Sequence, residues 1–129
     1  MNRKLKLIDS LSCDIYCERT MLQNEKTIFA ILAPCILTLK KTRIYYKGSD
    51  DDTPEWRIVH PYLIGENQKG NAVLSAYDTS GQKHAWKTYL LSNIIKVEAL
   101  NEVFLNDRTE FNRNDKRMKS ILCCIPETE

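Results

Sequence analysis

The chain has 129 residues, 43% of them hydrophobic and 28% charged, with 19 Lys and Arg against 17 Asp and Glu. That length fits one domain burying roughly two thirds of its unfolded surface, and four glycines with four prolines exclude a collagen-like or low-complexity chain. A formal net charge of +2 neither demands nor excludes a nucleic-acid partner, because the placement of charge decides.

In chain order, Arg3, Lys4 and Lys6 precede only a broken apolar stretch interrupted by Asp9, Ser10 and Ser12, unlike a signal peptide. Residues 1–49 carry nine Lys and Arg against four Asp and Glu, so the basic excess is N-terminal, and its scatter reads as a solvated face. The alternation Lys4-Leu5-Lys6-Leu7-Ile8 is strand-like, and Asn24, Glu25 and Thr27 can start a helix before the apolar run Ile28–Leu32. Pro34 suits a first helical position, and Lys40-Lys41 suit a helix end, which predicts a short helix over 34–40. From Thr42, Arg43, Tyr45 and Lys47 alternate with Ile44 and Tyr46 as in a strand with one cationic face. The acidic turn 48–54 leads to a second strand from Trp56. His60-Pro61 interrupts it and marks an edge or a bend, since proline cannot donate to a ladder. Residues 65–71 form a hairpin loop, Ala72–Tyr77 a third strand, Trp86–Leu91 a fourth and Ile94–Leu100 a fifth. A polar stretch follows, and the apolar segment 121–125 docks back as an edge strand.

Short strands joined by tight turns indicate an α+β, mainly β domain whose five-stranded antiparallel sheet curls into a small barrel. Residues 1–33 form a helical or extended N-terminal segment, 34–104 the barrel and 105–129 a C-terminal extension. Five cysteines (Cys13, Cys17, Cys35, Cys123 and Cys124) with no apolar run near the ~18 residues of a membrane span predict free thiols in the cytoplasm. Cys13 and Cys17 make at most one zinc knuckle. Adjacent Cys123 and Cys124 face opposite ways in a strand and cannot supply the second, so no metal or cofactor is expected. His60 and His84 lie in no nucleophile motif. With no phosphate loop or paired catalytic carboxylates, the chain is not expected to be an enzyme.

The segments KKTRIYYKG, WRIVHPYLIGENQKGNAVLSAYDTSG and WKTYLLSNIIKVEAL together resemble the WYL-domain family over about residues 34–104. Arg57, Val59, Pro61 and Ile64 match its Arg-x-Val-x-Pro-x-x-Leu-like segment, and Gly70-Asn71 match its hairpin. Leu74, Ala76 and Tyr77 match the strand of the eponymous tripeptide, and Lys87, Tyr89, Leu91 and Ile94 match its closing segment. The sequence departs from the pattern at the tripeptide's tryptophan and tyrosine, which fall on Ala72 and Val73. It departs again at the closing Asp-Arg, here Ser92-Asn93. The resemblance implies an Sm-like small β-barrel acting as a regulatory sensor in transcription or phage defence. It also implies a negatively charged ligand, a nucleotide or single-stranded RNA or DNA.

A small barrel binds single strands with cations for phosphate and aromatic faces for bases. Arg43, Tyr45, Arg57, Tyr62, Lys87 and Tyr89 supply those types, Arg57 foremost because a guanidinium fork suits phosphate. Trp86 is a further stacking candidate. The competing reading puts Tyr46, Trp56, Trp86 and Tyr89 in a barrel core and pairs Arg57 with Glu55 or the Asp50–Asp52 loop. The 33 residues before Pro34 are too few for a helix-turn-helix domain. The expected roles are therefore an accessory sensor, alone or as a homodimer, or a protein–protein interaction domain using the barrel edge or the apolar tail.

Overall fold

The computed structural model describes residues 21–127. The strand-like alternation at 4–8, the basic residues Arg3, Lys4 and Lys6, and Cys13 and Cys17 lie outside them.

Helix α1 (Gln23–Leu37) presents Ile28, Phe29, Leu32, Cys35 and Ile36 as one buried stripe at three- and four-residue spacing. The buried Glu25 carboxylate accepts the Leu22 N–H at 2.8 Å and steadies the first turn. The helix is longer than the one expected over 34–40, and Pro34 sits inside it on the exposed side. A proline there forfeits a backbone hydrogen bond and costs about 3 kcal/mol. Burial of Leu32, Cys35 and Ile36 around it offsets that loss. The Thr38 N–H and Oγ1 both donate to the Pro34 carbonyl, at 3.0 and 2.7 Å, and end the helix. Leu39, at φ 56°, swings the chain into a strand, so Lys40 and Lys41 are strand residues and not a helix terminus.

Six strands follow: β1 (Lys40–Tyr46), β2 (Glu55–Asn67), β3 (Ala72–Asp78), β4 (Ala85–Leu90), β5 (Ile94–Val103) and β6 (Met118–Cys124). Every pairing is antiparallel, in the order β4-β3-β2-β1-β5, with β6 on β2. The five expected strands are present, and the tail docks as the expected extra strand. The expected five-stranded Sm-like barrel needs correction on two points. The sheet has six strands, and among the described residues no ladder joins β4 to β5, so it is open. The 3-10 turn Leu91–Asn93 accounts for the gap. The Lys47 N–H donates to the Asn93 carbonyl at 3.1 Å, which delivers the chain to the edge of β1, where β5 pairs.

Strand β2 is the spine. Glu55–Val59 pairs with β1 and Leu63–Asn67 with β6, while β3 runs along residues 59–66. Pro61 falls in the gap between the ladders to β1 and β6, and the register with β3 shifts just after it. The strand therefore bends there without breaking, as a bulge allows. Gly70, at φ 86°, closes the β2–β3 turn, where Asn67 Oδ1 accepts the Lys69 and Asn71 N–H groups.

The core between α1 and the sheet holds Leu32, Ile36, Ile44, Val59, Leu63, Ile64, Leu74 and Leu91, all fully buried. Residue 34, where the sequence reading starts the barrel, falls inside α1. Among the described residues no helix is long and apolar enough to cross a membrane.

Candidate ligand-binding surface

Residues opposite one another in an antiparallel ladder share a face. On the core-side face, Ile44 lies opposite Arg57, Val59 opposite Asp78, Ala76 opposite Lys87 and Leu74 opposite Tyr89. That register gathers a polar cluster around Asp78, which is only 2% exposed. Its Oδ2 accepts the Tyr89 hydroxyl at 2.5 Å and lies 3.4 Å from Arg57 Nη1 and 3.7 Å from Lys87 Nζ. Its Oδ1 accepts the N–H and hydroxyl of Ser80, at 2.8 and 2.5 Å. Burial acts to raise the Asp78 pKa, but the bonds from Ser80 and Tyr89 and the Lys87 charge outweigh it and hold the carboxyl below its usual range. Burial, reinforced by the bond to Asp78, drives the Tyr89 phenol far upward, so it stays a donor. Arg57 and Lys87 thus neutralise a buried carboxylate. Removing either partner of such a contact is costly because a charge is left behind.

The opposite face carries Arg43 across from Ile58, Tyr45 across from Trp56 and from Lys96, His60 across from Tyr77, and Tyr77 across from Trp86. The Arg43 guanidinium stacks 4.1 Å over the Trp56 ring and bonds Glu98 at 2.5 Å. The Tyr45 ring centre lies 4.9 Å from that of Trp56. Trp56 and Ile58 are each 38% exposed, so this end of the face offers a half-open aromatic surface with a guanidinium on it.

The other end of the same face is covered by the segment 104–117 between β5 and β6, here called the strap. Phe104 stacks on His60 at 4.7 Å and 10°, Phe111 lies 5.9 Å from Trp86 at 22°, and Arg108 sits 3.5 Å over Tyr77. Tyr62 is fully buried beneath, touching Trp86, Phe104 and Phe111. The Trp86 indole N–H donates to Glu110 at 2.9 Å. Burial lowers the His60 pKa to about 4, with the Arg108 charge adding to the effect. The folded state therefore resists a proton that the unfolded chain takes up near pH 6.5, and stability falls as pH drops from 6.5 toward 4. Because His60 is only half-buried, the loss between pH 7 and 5 is about 1–2 kcal/mol. Urea unfolding at the two pH values should show it, and His60→Gln should flatten that dependence.

Of the six residues singled out from the sequence, Arg57, Lys87 and Tyr89 converge, but on Asp78. Tyr62 lies in the core and presents no ring to a base. Arg43 and Tyr45 share the open face with Trp56, which the sequence reading named only as a core residue. Arg108, Phe104 and Phe111 were missed. Two phenylalanines seven apart in an otherwise polar stretch were the available signal. Among the described residues no group of His, Cys, Asp and Glu is placed to hold a metal ion. Cys35 is buried, and Cys123 and Cys124 are half-buried.

No curated protein matches the chain. Among solved structures, proteasome accessory factor B/C (PafBC) of Arthrobacter aurescens is similar over 67% of this chain and 13% of its own, with 19% identity and a TM-score of 0.59. The chain thus spans a small part of that protein, and the likeness is one of fold. The family model of the WYL domain matches residues 27–99, more than half the sequence. On that coverage, this chain belongs to the WYL-domain family.

Proposed function

We propose that this chain is a non-enzymatic regulatory sensor domain that binds single-stranded nucleic acid, or a nucleotide as its shortest form, on the face carrying Tyr45 and Trp56. The observation that carries the reading is the guanidinium of Arg43 stacked on the half-exposed Trp56, with Tyr45 beside it. An aromatic platform gives each base a surface, and adjacent cations take the phosphates. Lys96 lies across from Tyr45, and Lys41, on the same face, is only partly occupied by Glu102 at 3.3 Å. Glu98 and Glu102 offset part of this charge, so a few placed side chains make the site and no bulk positive surface is needed. Ligand binding would then modulate transcription or a defence system.

Fluorescence polarisation with short single-stranded RNA and DNA at two salt concentrations tests the reading. Micromolar binding that weakens with salt is expected. Trp56→Ala should weaken it about tenfold, the equivalent of one lost stacking contact. Binding that is absent to high micromolar, or unchanged in Trp56→Ala, would overturn it. The interaction-domain alternative has less support, because β6 commits the apolar tail to β2 and buries Ile125.

A further inference from the structure

The aromatic face does not stop at Trp56. Beyond Ile58 it continues through His60 and Tyr77 to Trp86, and each of these three rings has one strap side chain laid on it. Phe104 on His60 and Phe111 on Trp86 are near-parallel, as a stacked base would be, and the Arg108 guanidinium carbon lies 3.5 Å over the Tyr77 ring. Open clefts of about 400 Å³ and about 260 Å³ lie along the strap, and Phe111 lines both. In the seam between strap and sheet the buried His60 Nδ1 has no hydrogen-bond partner among the described residues, while the Tyr62 hydroxyl faces the Arg108 guanidinium. The strap side chains cover the face by stacking on its rings, a contact that a base reproduces, so an incoming strand replaces like with like. The strap is also without helix or strand through its whole length.

We propose that the strap is a displaceable occupant of a nucleobase-binding face, and that a single strand anchored at Trp56 extends across His60, Tyr77 and Trp86 by replacing Phe104, Arg108 and Phe111. This rests on the single-strand reading above and adds to it a longer site under self-inhibition. Arg108 and Arg113, freed with the strap, would turn to phosphates. Arg113 at present ties the strap to β6 and the tail, donating to Cys124 Sγ at 3.4 Å and to the Ile125 carbonyl at 3.0 Å.

The test uses the full chain with Trp56→Phe, so that Trp86 is the only tryptophan, and oligouridylates of four and ten nucleotides. Phe111→Ala in this background should bind the ten-mer about tenfold more tightly than the parent, the gain of one extra stacked base. It should also gain a Trp86 fluorescence change on binding, while the four-mer gains less. A Phe111→Ala protein that keeps its circular dichroism and binds no better, with Trp86 silent, overturns the strap proposal. If the wild-type chain still loses affinity on Trp56→Ala, the platform reading stands without it. If no variant binds, both fall. Hydrogen exchange on the wild-type chain covers the case in which Phe111→Ala does not fold. Saturating ten-mer should speed exchange across 104–117, and unchanged or slowed exchange there overturns the proposal.

Discussion

Asp78→Ala is expected to lower the free energy of unfolding by about 3–5 kcal/mol, the range for removing one partner from a buried charge cluster. The loss has three parts. The Tyr89 hydroxyl, 2% exposed as a residue, loses its acceptor, and Ser80 loses the bonds that shape the turn after β3. Arg57 and Lys87, with side chains 22% and 45% exposed, lose the carboxylate that justified bringing them to the core edge. Asp78→Asn keeps the shape and one acceptor oxygen but no charge, so an intermediate loss is expected. Arg57→Met placed in the Asp78→Ala background should recover part of the stability, because it removes the cation left without its counter-charge. The pH dependence follows from the depressed pKa. Asp78 contributes fully above the unfolded carboxyl pKa of about 3.9 and loses its contribution as pH falls through the lower folded value. Equilibrium urea unfolding at pH 7 and below pH 4 should therefore show wild type and Asp78→Ala converging in acid. A loss under about 1 kcal/mol at pH 7 would mean that the cluster is effectively solvated.

Arg57 illustrates what local sequence can and cannot convey. Its partners near in sequence are Glu55 and the acidic loop, and Glu55 does lie 3.9 Å away, at the exposed end. The partner that decides its role is Asp78, brought opposite Val59 by the β2–β3 register, which no local pattern encodes. The strands were legible for the converse reason. Alternation such as Arg43-Ile44-Tyr45 has meaning only on a pleated surface with one wet side, and β1 buries Thr42 and Ile44 accordingly. The helix start was legible, since Asn24, Glu25 and Thr27 mark it and α1 begins at Gln23, but its continuation through Pro34 was not. Pro34 misled because a proline inside a helix is tolerated only where the packing of its neighbours outweighs the lost bond, and that is a tertiary property. The strap escaped entirely. Its polar residues have no period, and Phe104 and Phe111 acquire a role only from the rings that β2, β3 and β4 place under them.

Gly65→Ala is the second substitution with a large expected effect, about 2–3 kcal/mol of destabilisation. Gly65 pairs with Ile121 of β6 and with Val73 of β3, and β6 crosses close over it. A Cβ at this position would lie 2.8 Å from the Ser120 carbonyl oxygen and 3.0 Å from Met118 Sδ. The Met118 side chain can turn away, but the Ser120 oxygen belongs to the β6 backbone, so the strand itself must shift. Displacing it loosens the ladder from Leu63 to Asn67 and uncovers Met118 and Ile125, both buried in the core. Gly81→Ala is the matched control: its nearest neighbours would be 4.0 Å away, and its effect should stay within about 0.5 kcal/mol. Gly70→Ala should fall between the two at about 1 kcal/mol, since φ 86° strains a side chain although space is available. The order Gly65, Gly70, Gly81 in urea midpoints separates close approach from backbone strain. In Gly65→Ala, amide exchange across Met118–Cys124 should rise before that of β3, because among the described residues β6 pairs with β2 alone. Equal acceleration in both strands would mean instead that β6 is part of the cooperative core of the sheet.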